Sequence, residues 1–165
     1  MTPMNRRTFV AGLATLFAGY HVASAQQKTQ SPAKIEKLKL PVEEWQKRLT
    51  PAQFNVLRLE GTEMAGSSPL NGEKRTGTFV CAGCDLPLFR SETKYESGTG
   101  WPSFYTFIPG ALETKTDFKL ILPRTEYHCA RCEGHQGHVF DDGPKPTGKR
   151  YCNNGVALKF VPAAT

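Results

Sequence analysis

The hydrophobic and polar positions divide the chain into a short helical part and a longer part made of strand-like segments. Residues 42–48 and 51–59 carry apolar side chains at helical spacing, which predicts two short helices. Phe54, Val56 and Leu57 belong to the second of these, and we expect them to pack against the rest of the domain.

The start of the second helix has its own signal. Thr50 offers a hydroxyl at the N-cap, Pro51 suits the first helical position, and Gln53 stands at the third. This combination is typical of a capping box, in which the two side chains satisfy backbone amides that the first turn leaves without partners.

From Gly77 onward the pattern changes to short segments rich in Thr, Phe, Val and Tyr, separated by Gly, Pro and Asp. Such segments are typical of antiparallel strands with tight connections, whereas residues 91–109 contain glycines, prolines and aromatics and are predicted to be a loop. The fold class predicted is therefore mainly β. The predicted strands are residues 77–80, 88–90, 114–122, 125–128, 138–140, 149–151 and 156–161.

The first 25 residues have the features of a secretory signal. Arg6 and Arg7 precede an uncharged segment, residues 9–20, and the small residues that end at Ala25 form a cleavage pattern. The uncharged segment is shorter than the roughly 20 residues of a membrane-spanning helix, so no stable membrane anchor is expected. We expect twin-arginine export with cleavage after Ala25, and a periplasmic or secreted protein. Residues 26–41 are polar and predict a linker.

Cleavage would leave 140 of the 165 residues, a length that fits one domain, here residues 42–165. Losing Arg6 and Arg7 lowers the formal net charge from +6 to +4, and the remaining basic residues are scattered. Nucleic-acid binding needs a clustered basic surface, so it is not expected. Nothing in the sequence indicates more than a monomer.

Four of the five cysteines form two CxxC pairs, Cys81 with Cys84 and Cys129 with Cys132. This spacing is typical of a tetrahedral zinc site with four thiolate ligands, which would join two turns that are distant in sequence. Two alternatives stay open at this point. In an oxidising compartment the cysteines could form disulfides, or one CxxC could be a thioredoxin-like redox pair.

The fifth cysteine, Cys152, has no partner in the sequence. It follows Arg150 and precedes Asn153 and Asn154, which suits a partly exposed turn, although an inert buried thiol is the alternative. A guanidinium beside a thiol favours the thiolate, so we expect Arg150 to lower the pKa of Cys152.

Two histidines and a tryptophan complete the candidate chemistry. His135 and His138 supply the imidazoles that thiol chemistry uses as base, acid or hydrogen-bond donor, but they could also be structural or form a second metal site. Trp101, between a glycine and a proline, is either simply packed or offers a rigid aromatic face to a methyl-bearing group.

Five motifs stand in order along residues 42–162: two CxxC pairs, GWPSF at residues 100–104, GHVF at 137–140 and RYCxN at 150–154. In this the chain resembles the type B methionine-R-sulfoxide reductases. The resemblance implies a tent-like fold of two antiparallel sheets, clamped by a structural Zn²⁺ and preceded by short helices. The implied zinc ligands are Cys81, Cys84, Cys129 and Cys132.

The resemblance also implies an activity, the reduction of the R epimer of methionine sulfoxide, free or in oxidised proteins. Cys152 would be the nucleophile that attacks the sulfoxide sulfur, with its thiolate favoured by Arg150. His135, His138 and Asn154 would orient water and help to protonate the leaving oxygen, and Trp101 would face the substrate methyl group.

Two departures from the family pattern matter. Many members have a recycling cysteine where this chain has Thr99, so we expect a thioredoxin-like protein or a small thiol to reduce Cys152 directly. Asn153 and Gly155 stand where relatives commonly have an apolar residue and serine. Two other functions stay possible, a zinc-clamped binding module without catalysis and a thiol-disulfide oxidoreductase.

Overall fold

The computed structural model describes residues 35–164, so the predicted signal peptide and most of the predicted linker lie outside the described residues. Within that range two α-helices precede nine strands, and three short 3₁₀ helices lie at Pro69–Gly72, Ser91–Thr93 and Gly155–Ala157. The helices are α1 (Val42–Arg48) and α2 (Pro51–Leu59). The strands are β1 (Gly77–Cys81), β2 (Pro87–Arg90), β3 (Lys94–Tyr95), β4 (Ser103–Phe104), β5 (Leu112–Asp117), β6 (Arg124–Cys129), β7 (His135–Phe140), β8 (Arg150–Asn153) and β9 (Leu158–Pro162).

Both helices have the predicted bounds, and the capping box at the start of α2 is confirmed. The backbone N–H of Thr50 donates to Gln53 Oε1 at 3.0 Å, and the Gln53 N–H donates to Thr50 Oγ1 at 3.2 Å. Val56 and Leu57 are buried, whereas Phe54 packs on the core only in part. The cap and the apolar face together hold α2 against the sheets.

The strands form two antiparallel sheets, which confirms the predicted fold class. One has three strands in the order β2-β1-β9, and the other has six in the order β3-β4-β8-β7-β6-β5. Strand β8, which carries Cys152, therefore lies inside the larger sheet, between β4 and β7. A strand with neighbours on both sides is a rigid support for a reactive side chain.

An aromatic core fills the space between the sheets. Phe79 and Phe89 come from the smaller sheet, Phe104 and Tyr127 from the larger, and all four are fully buried. The Phe89 and Phe104 rings stack with centroids 4.0 Å apart, and Phe79 meets Phe104 edge-on at 5.0 Å. These contacts join the two sheets through the core.

The predicted strand at residues 114–122 is wrong in its second half. The strand runs from Leu112 to Asp117 and then stops, because the Asp117 carboxylate accepts the Lys119 N–H at 2.8 Å and turns the chain. Residues 118–123 form a loop whose apolar side chains face solvent instead of entering a sheet.

The remaining differences are smaller. The predicted loop 91–109 contains the two-residue strands β3 and β4, which extend the larger sheet beyond β8. The described end of the predicted linker lies against the domain, since Ile35, Leu38 and Leu40 pack on the core and the Leu38 N–H donates to the Arg131 carbonyl at 2.7 Å. No helix among residues 35–164 is long and apolar enough to cross a membrane.

Candidate active site and metal centre

The four paired cysteines converge on one point. Their Sγ atoms all lie within 4.8 Å of one another, with Cys81 and Cys132 3.6 Å apart and Cys84 and Cys129 3.5 Å apart. Four sulfurs at 2.3 Å from a tetrahedral ion would be about 3.8 Å apart, so the arrangement fits such an ion. A disulfide would need about 2.05 Å, which none of these pairs approaches. The cluster can therefore hold a metal ion.

The two CxxC turns have matching geometry. In the first, the Asp85 N–H donates to the Cys81 carbonyl at 2.9 Å, and in the second the Glu133 N–H donates to the Cys129 carbonyl at 2.9 Å. Asp85 and Glu133 both adopt a left-handed conformation with φ of 58°. Cys81 ends β1 and Cys129 ends β6, so a bound ion would join the two sheets.

Two side chains direct N–H donors at these sulfurs. Arg58 Nη2 lies 3.3 Å from Cys132 Sγ while its Nη1 donates to the Cys132 carbonyl at 2.9 Å, and Gln136 Nε2 lies 3.4 Å from Cys81 Sγ. Thiolates that bind a metal carry negative charge, which such donors stabilise. Neither residue could be predicted from the sequence, because each is distant in sequence from the cysteine that it contacts.

A cavity of about 120 Å³ opens beside Cys152. Four of the six residues predicted for catalysis and substrate binding line it: Trp101, His138, Cys152 and Asn154. The rest of the lining is Thr62, Arg124, Gly137, Phe140 and Asn153. Cys152 pairs with His138 across β7 and β8, so both side chains lie on the same face. A Cβ on Gly137 would lie 1.9 Å from the Cys152 carbonyl oxygen, so glycine there permits the close approach of the two strands.

The two histidines face one another because β7 contains a bulge. Residues three apart on a regular strand point to opposite faces, but His135 pairs with His128 while Gly137 pairs with Tyr127, which leaves Gln136 as the extra residue. The rings of His135 and His138 consequently lie 5.4 Å apart. The structure thus brings His135 next to the cavity, although it does not line it.

Each histidine is held by a carboxylate. His135 Nδ1 bonds to Glu126 at 2.7 Å, and His138 Nε2 bonds to Asp117 at 2.7 Å. Burial raises the pKa of Glu126, but its hydrogen bonds with His128 and His135 outweigh that effect and lower it to about 2. Since an ionised carboxylate only accepts, His135 donates through Nδ1, and its buried Nε2 is left without a partner.

Burial lowers the pKa of His138, and the nearby charge of Arg124 adds to this, although the Asp117 carboxylate acts in the opposite direction. His138 is therefore neutral at neutral pH in the free protein. With Nε2–H donating to Asp117, its Nδ1 carries the free lone pair.

The pKa of Cys152 is raised, which contradicts the direction expected from the sequence. Burial is the largest cause; the charge of Arg150 and hydrogen bonds with Thr99 and Arg150 lower the pKa but do not compensate. Arg150 forms two bonds to the Asp142 carboxylate, at 2.8 and 2.7 Å, so much of its positive charge is balanced locally. The guanidinium lies over the Phe140 ring and not in the cavity.

We expect Asp142→Asn to lower the pKa of Cys152, because the Asp142 charge raises it and also opposes Arg150. Asp142 is largely exposed, so solvent screening keeps the effect small, and the thiolate fraction at fixed pH should rise by about threefold. The rate of Cys152 alkylation at pH 8 on metal-loaded protein measures this. Asp141→Asn is the matched control, since Asp141 pairs with Lys149 instead; equal rates in the two variants would contradict the prediction.

Asn154 and Trp101 are both fixed by the segment around Glu63. The Glu63 N–H donates to Asn154 Oδ1 at 3.0 Å, and Trp101 Nε1 donates to the Glu63 carbonyl at 3.2 Å. The Glu63 carboxylate also accepts the N–H groups of Gly155 and Val156. A Cβ on Gly155 would lie 1.9 Å from Ser68 Oγ, so the departure from serine at this position fits the packing.

Asn153 belongs to a buried polar network that the sequence did not predict. Its Oδ1 accepts the Tyr127 hydroxyl at 2.9 Å, and its Nδ2 donates to the Asn154 carbonyl at 2.8 Å and to Gln136 Oε1 at 3.4 Å. Since Gln136 also contacts Cys81, the network runs from the metal-ligand cluster to the strand that carries Cys152.

Tyr127→Phe and Asn153→Val should each destabilise the fold by about 1–3 kcal/mol, because each leaves a buried polar group without its partner. The double variant pairs two apolar groups, so its loss should be smaller than the sum by about 1–2 kcal/mol. Urea unfolding of the metal-loaded protein measures both values. Tyr151→Phe is the control, and its free energy of unfolding should stay within about 0.5 kcal/mol of the unaltered chain. Losses in the double variant that equal the sum of the single losses would contradict the coupling between Tyr127 and Asn153.

Comparisons with known proteins agree on one family. Residues 49–162 match the SelR domain family. The chain is 52% identical over 119 residues to peptide methionine sulfoxide reductase MsrB of Leptospira interrogans, covering 72% of this chain and 91% of the relative. It is 50% identical over 129 residues to MsrB of Pseudomonas putida, covering 78% of this chain and 97% of the relative.

A plant relative is longer. The chain is 51% identical over 132 residues to chloroplastic peptide methionine sulfoxide reductase B1 of Arabidopsis thaliana, which covers 79% of this chain but 65% of the relative. Among solved structures, the Mis18 "Yippee-like" domain aligns with a TM-score of 0.44 and 15% identity, covering 55% of this chain and all of that domain.

Proposed function

This chain belongs to the MsrB family of peptide methionine sulfoxide reductases, and from that premise we propose that it reduces methionine-R-sulfoxide to methionine. The observation that supports this most directly is the cavity in which Cys152, His138, Trp101 and Asn154 meet. No observation favours the non-catalytic binding module over the enzyme.

In the proposed reaction the Cys152 sulfur attacks the sulfoxide sulfur. The sulfoxide sulfur gains two electrons and leaves as the thioether of methionine, and the oxygen and the thiol proton end on Cys152 as a sulfenic acid, so atoms and electrons balance. Because the resting thiol is protonated, a base must accept its proton as the attack begins.

We assign this proton transfer to the histidines. His138 lines the cavity with a free lone pair on Nδ1, and it can accept the thiol proton and return it to the leaving oxygen. His135, whose unprotonated Nε2 has no partner, can accept a hydrogen bond from a water that in turn donates to the sulfoxide oxygen. Asp117 and Glu126 would act as positioning residues that fix the ring tautomers.

Trp101 and Asn154 would shape the substrate position. The indole ring lines the cavity and can pack against the substrate methyl group, while its N–H is fixed to Glu63. Asn154 uses its oxygen and one N–H for backbone groups of Glu63 and Gln136, which leaves its second N–H for the substrate oxygen or a water. Arg150 would act indirectly, through its charge near Cys152.

We further propose that the ion held by the four-cysteine cluster is Zn²⁺, because four thiolates in this arrangement select it. When bound it would supply folding energy and take no part in the reaction, since Zn²⁺ is not redox-active and four protein ligands leave no position for substrate. Its ligands would be Cys81, Cys84, Cys129 and Cys132.

An external thiol, from a thioredoxin-like protein or a small molecule, completes the proposed cycle. It would attack the sulfenic acid, release water and leave a mixed disulfide that a second thiol resolves. The other four cysteines are grouped with each other in the metal-ligand cluster, and Thr99 occupies the position of the family's recycling cysteine.

One turnover without reductant should therefore add one oxygen atom to the protein, as intact mass will show. Thr99→Cys provides the matched comparison. Thr99 lies close enough to Cys152 to lower its pKa, so a thiol there should form a disulfide and the mass should fall by two hydrogens. The same loss of two hydrogens in the unaltered chain would contradict external recycling.

The activity itself is tested by offering the separate R and S epimers of methionine sulfoxide with dithiothreitol and measuring methionine. We expect turnover of the R epimer, at a rate at least about 100-fold above that of the S epimer, because the cavity has one fixed aromatic face and one fixed polar face. Equal turnover of both epimers, or of neither, would refute the proposed function.

Twin-arginine export to the periplasm or beyond remains part of the proposal and rests on Arg6, Arg7 and the small residues before the expected cleavage site. Fractionation of cells that express the full chain, compared with an Arg6→Lys, Arg7→Lys variant, measures it. Retention of the variant in the cytoplasm is expected, and export of both proteins alike would contradict it.

A further inference from the structure

The loop that the sequence predicted as strand is an exposed apolar surface. Of the eight large hydrophobic side chains exposed within residues 35–164, four belong to it: Phe118, Leu120, Ile121 and Leu122, with exposed fractions of 75%, 57%, 101% and 76%. Single exposed apolar residues are ordinary, but four within five positions form a contiguous patch of the kind that marks an interaction site. Residues 118–123 are called the apolar loop below.

The apolar loop is continuous with the catalytic cavity. A groove of about 730 Å³ runs along Leu120 and Leu122 to Val139, and Arg124 and Phe140 line both this groove and the cavity beside Cys152. The cavity itself, at about 120 Å³, has room for a sulfoxide side chain but not for the residues on either side of it. In a polypeptide substrate, those flanking residues must lie on the rim, where the groove begins.

The charges around the apolar loop argue against a membrane surface as its occupant. Lys119 and Lys115 both pair with the Glu60 carboxylate, and Arg124 pairs with Asp117 at 2.7 Å. Binding to anionic lipids depends on basic residues that are free to meet the headgroups. What the loop offers is mainly apolar area, which suits an apolar segment of polypeptide.

We propose that the apolar loop is a docking surface for apolar residues that flank a methionine sulfoxide in an unfolded polypeptide. This rests on the proposed function, because the docked chain must present its sulfoxide to Cys152. It makes the enzyme selective among polypeptide substrates: each Leu or Ile flank that is buried against the loop should raise kcat/KM by about tenfold.

The test compares two peptides of equal length that carry methionine-R-sulfoxide between Leu and Ile or between Ser and Gly, together with the free amino acid. The full chain is compared with Leu120→Ser, Ile121→Ser and with the control Val42→Ser, which is similarly exposed but lies on α1. We expect the loop variant to lose about tenfold in kcat/KM on the apolar peptide and less than about twofold on the other two substrates. Val42→Ser should change none of them.

Equal kcat/KM for both peptides in the unaltered chain, or equal losses on all three substrates in the loop variant, would overturn the proposal. Two other results without peptide selectivity would also overturn it. One is that the protein sediments with neutral or anionic vesicles and the loop variant does not; the other is that the protein dimerises in sedimentation velocity and the loop variant does not. A binding measurement separates this from the proposed activity. Labelled apolar peptide should bind Cys152→Ser more tightly than it binds Cys152→Ser with both loop substitutions, by fluorescence anisotropy, whether or not the chain turns over sulfoxide.

Discussion

Cys152→Ser should lower the rate of methionine-R-sulfoxide reduction by at least about a thousandfold, as measured by methionine release with dithiothreitol. A serine hydroxyl is not ionised at neutral pH and cannot take up the sulfoxide oxygen, as the cysteine thiol does when it becomes a sulfenic acid. Within residues 35–164 the other four cysteines lie together in the metal-ligand cluster, so no second thiol stands in the cavity to replace it.

The same variant should keep its fold and its metal. Cys152 is half-buried on β8 and is not a member of the cluster, so replacing sulfur by oxygen costs little packing. Tyr151→Phe, one residue away on the opposite face, is the control and should keep its activity. Residual activity above about 0.1% in Cys152→Ser would contradict the nucleophile assignment.

A thiol-disulfide oxidoreductase gives a different pattern of results for this variant. Its CxxC thiols would react with thiol reagents in the folded protein, and Cys152→Ser would leave that reaction unchanged. In the structure Cys81, Cys129 and Cys132 are buried, and the partly exposed Cys84 would be held with them as a metal ligand. We therefore expect reagent to modify only Cys152 in the metal-loaded protein.

The parts of the fold that the sequence predicted well depend on local signals. The capping box needs only Thr50 and Gln53, and the cysteine cluster needs only two CxxC turns, each closed by hydrogen bonds within the turn. Each of these patterns is complete within a few consecutive residues, so it can be recognised without knowing how distant segments pack.

The parts that could not be predicted depend on contacts between distant segments. Glu63 meets Asn154 and Trp101 only because three loops converge, and Gln136 points at Cys81 only because β7 bulges. No spacing in the sequence carries that information.

Two predictions were wrong, the direction of the Cys152 pKa change and the residue at which β5 ends. Proximity in sequence to Arg150 suggested a lower pKa, but burial and the Asp142 partner of Arg150 decide the direction. Likewise the apolar residues after Asp117 suggested a strand, but Asp117 turns the chain and also holds His138. Burial decided the first outcome, and a hydrogen bond between a side chain and the backbone at the end of the strand decided the second.

Removing the metal should unfold the domain. A structural zinc ion contributes about 10–16 kcal/mol of apparent free energy in small zinc-binding peptides, which equals or exceeds the 5–15 kcal/mol stability of a typical domain. Here the ligands end β1 in one sheet and β6 in the other, so losing the ion separates two layers and leaves the sulfurs of Cys81 and Cys132 crowded at 3.6 Å.

We therefore expect a strong chelator to abolish the cooperative thermal transition seen by circular dichroism, and added Zn²⁺ to restore it. Cys129→Ser should purify with little metal and behave like the chelated protein. Cys152→Ser is the control, because it removes one sulfur that lies outside the cluster, and its transition should stay within a few degrees of the unaltered chain. A chelated protein that still melts cooperatively at the original temperature would mean that the aromatic core alone holds the two sheets together.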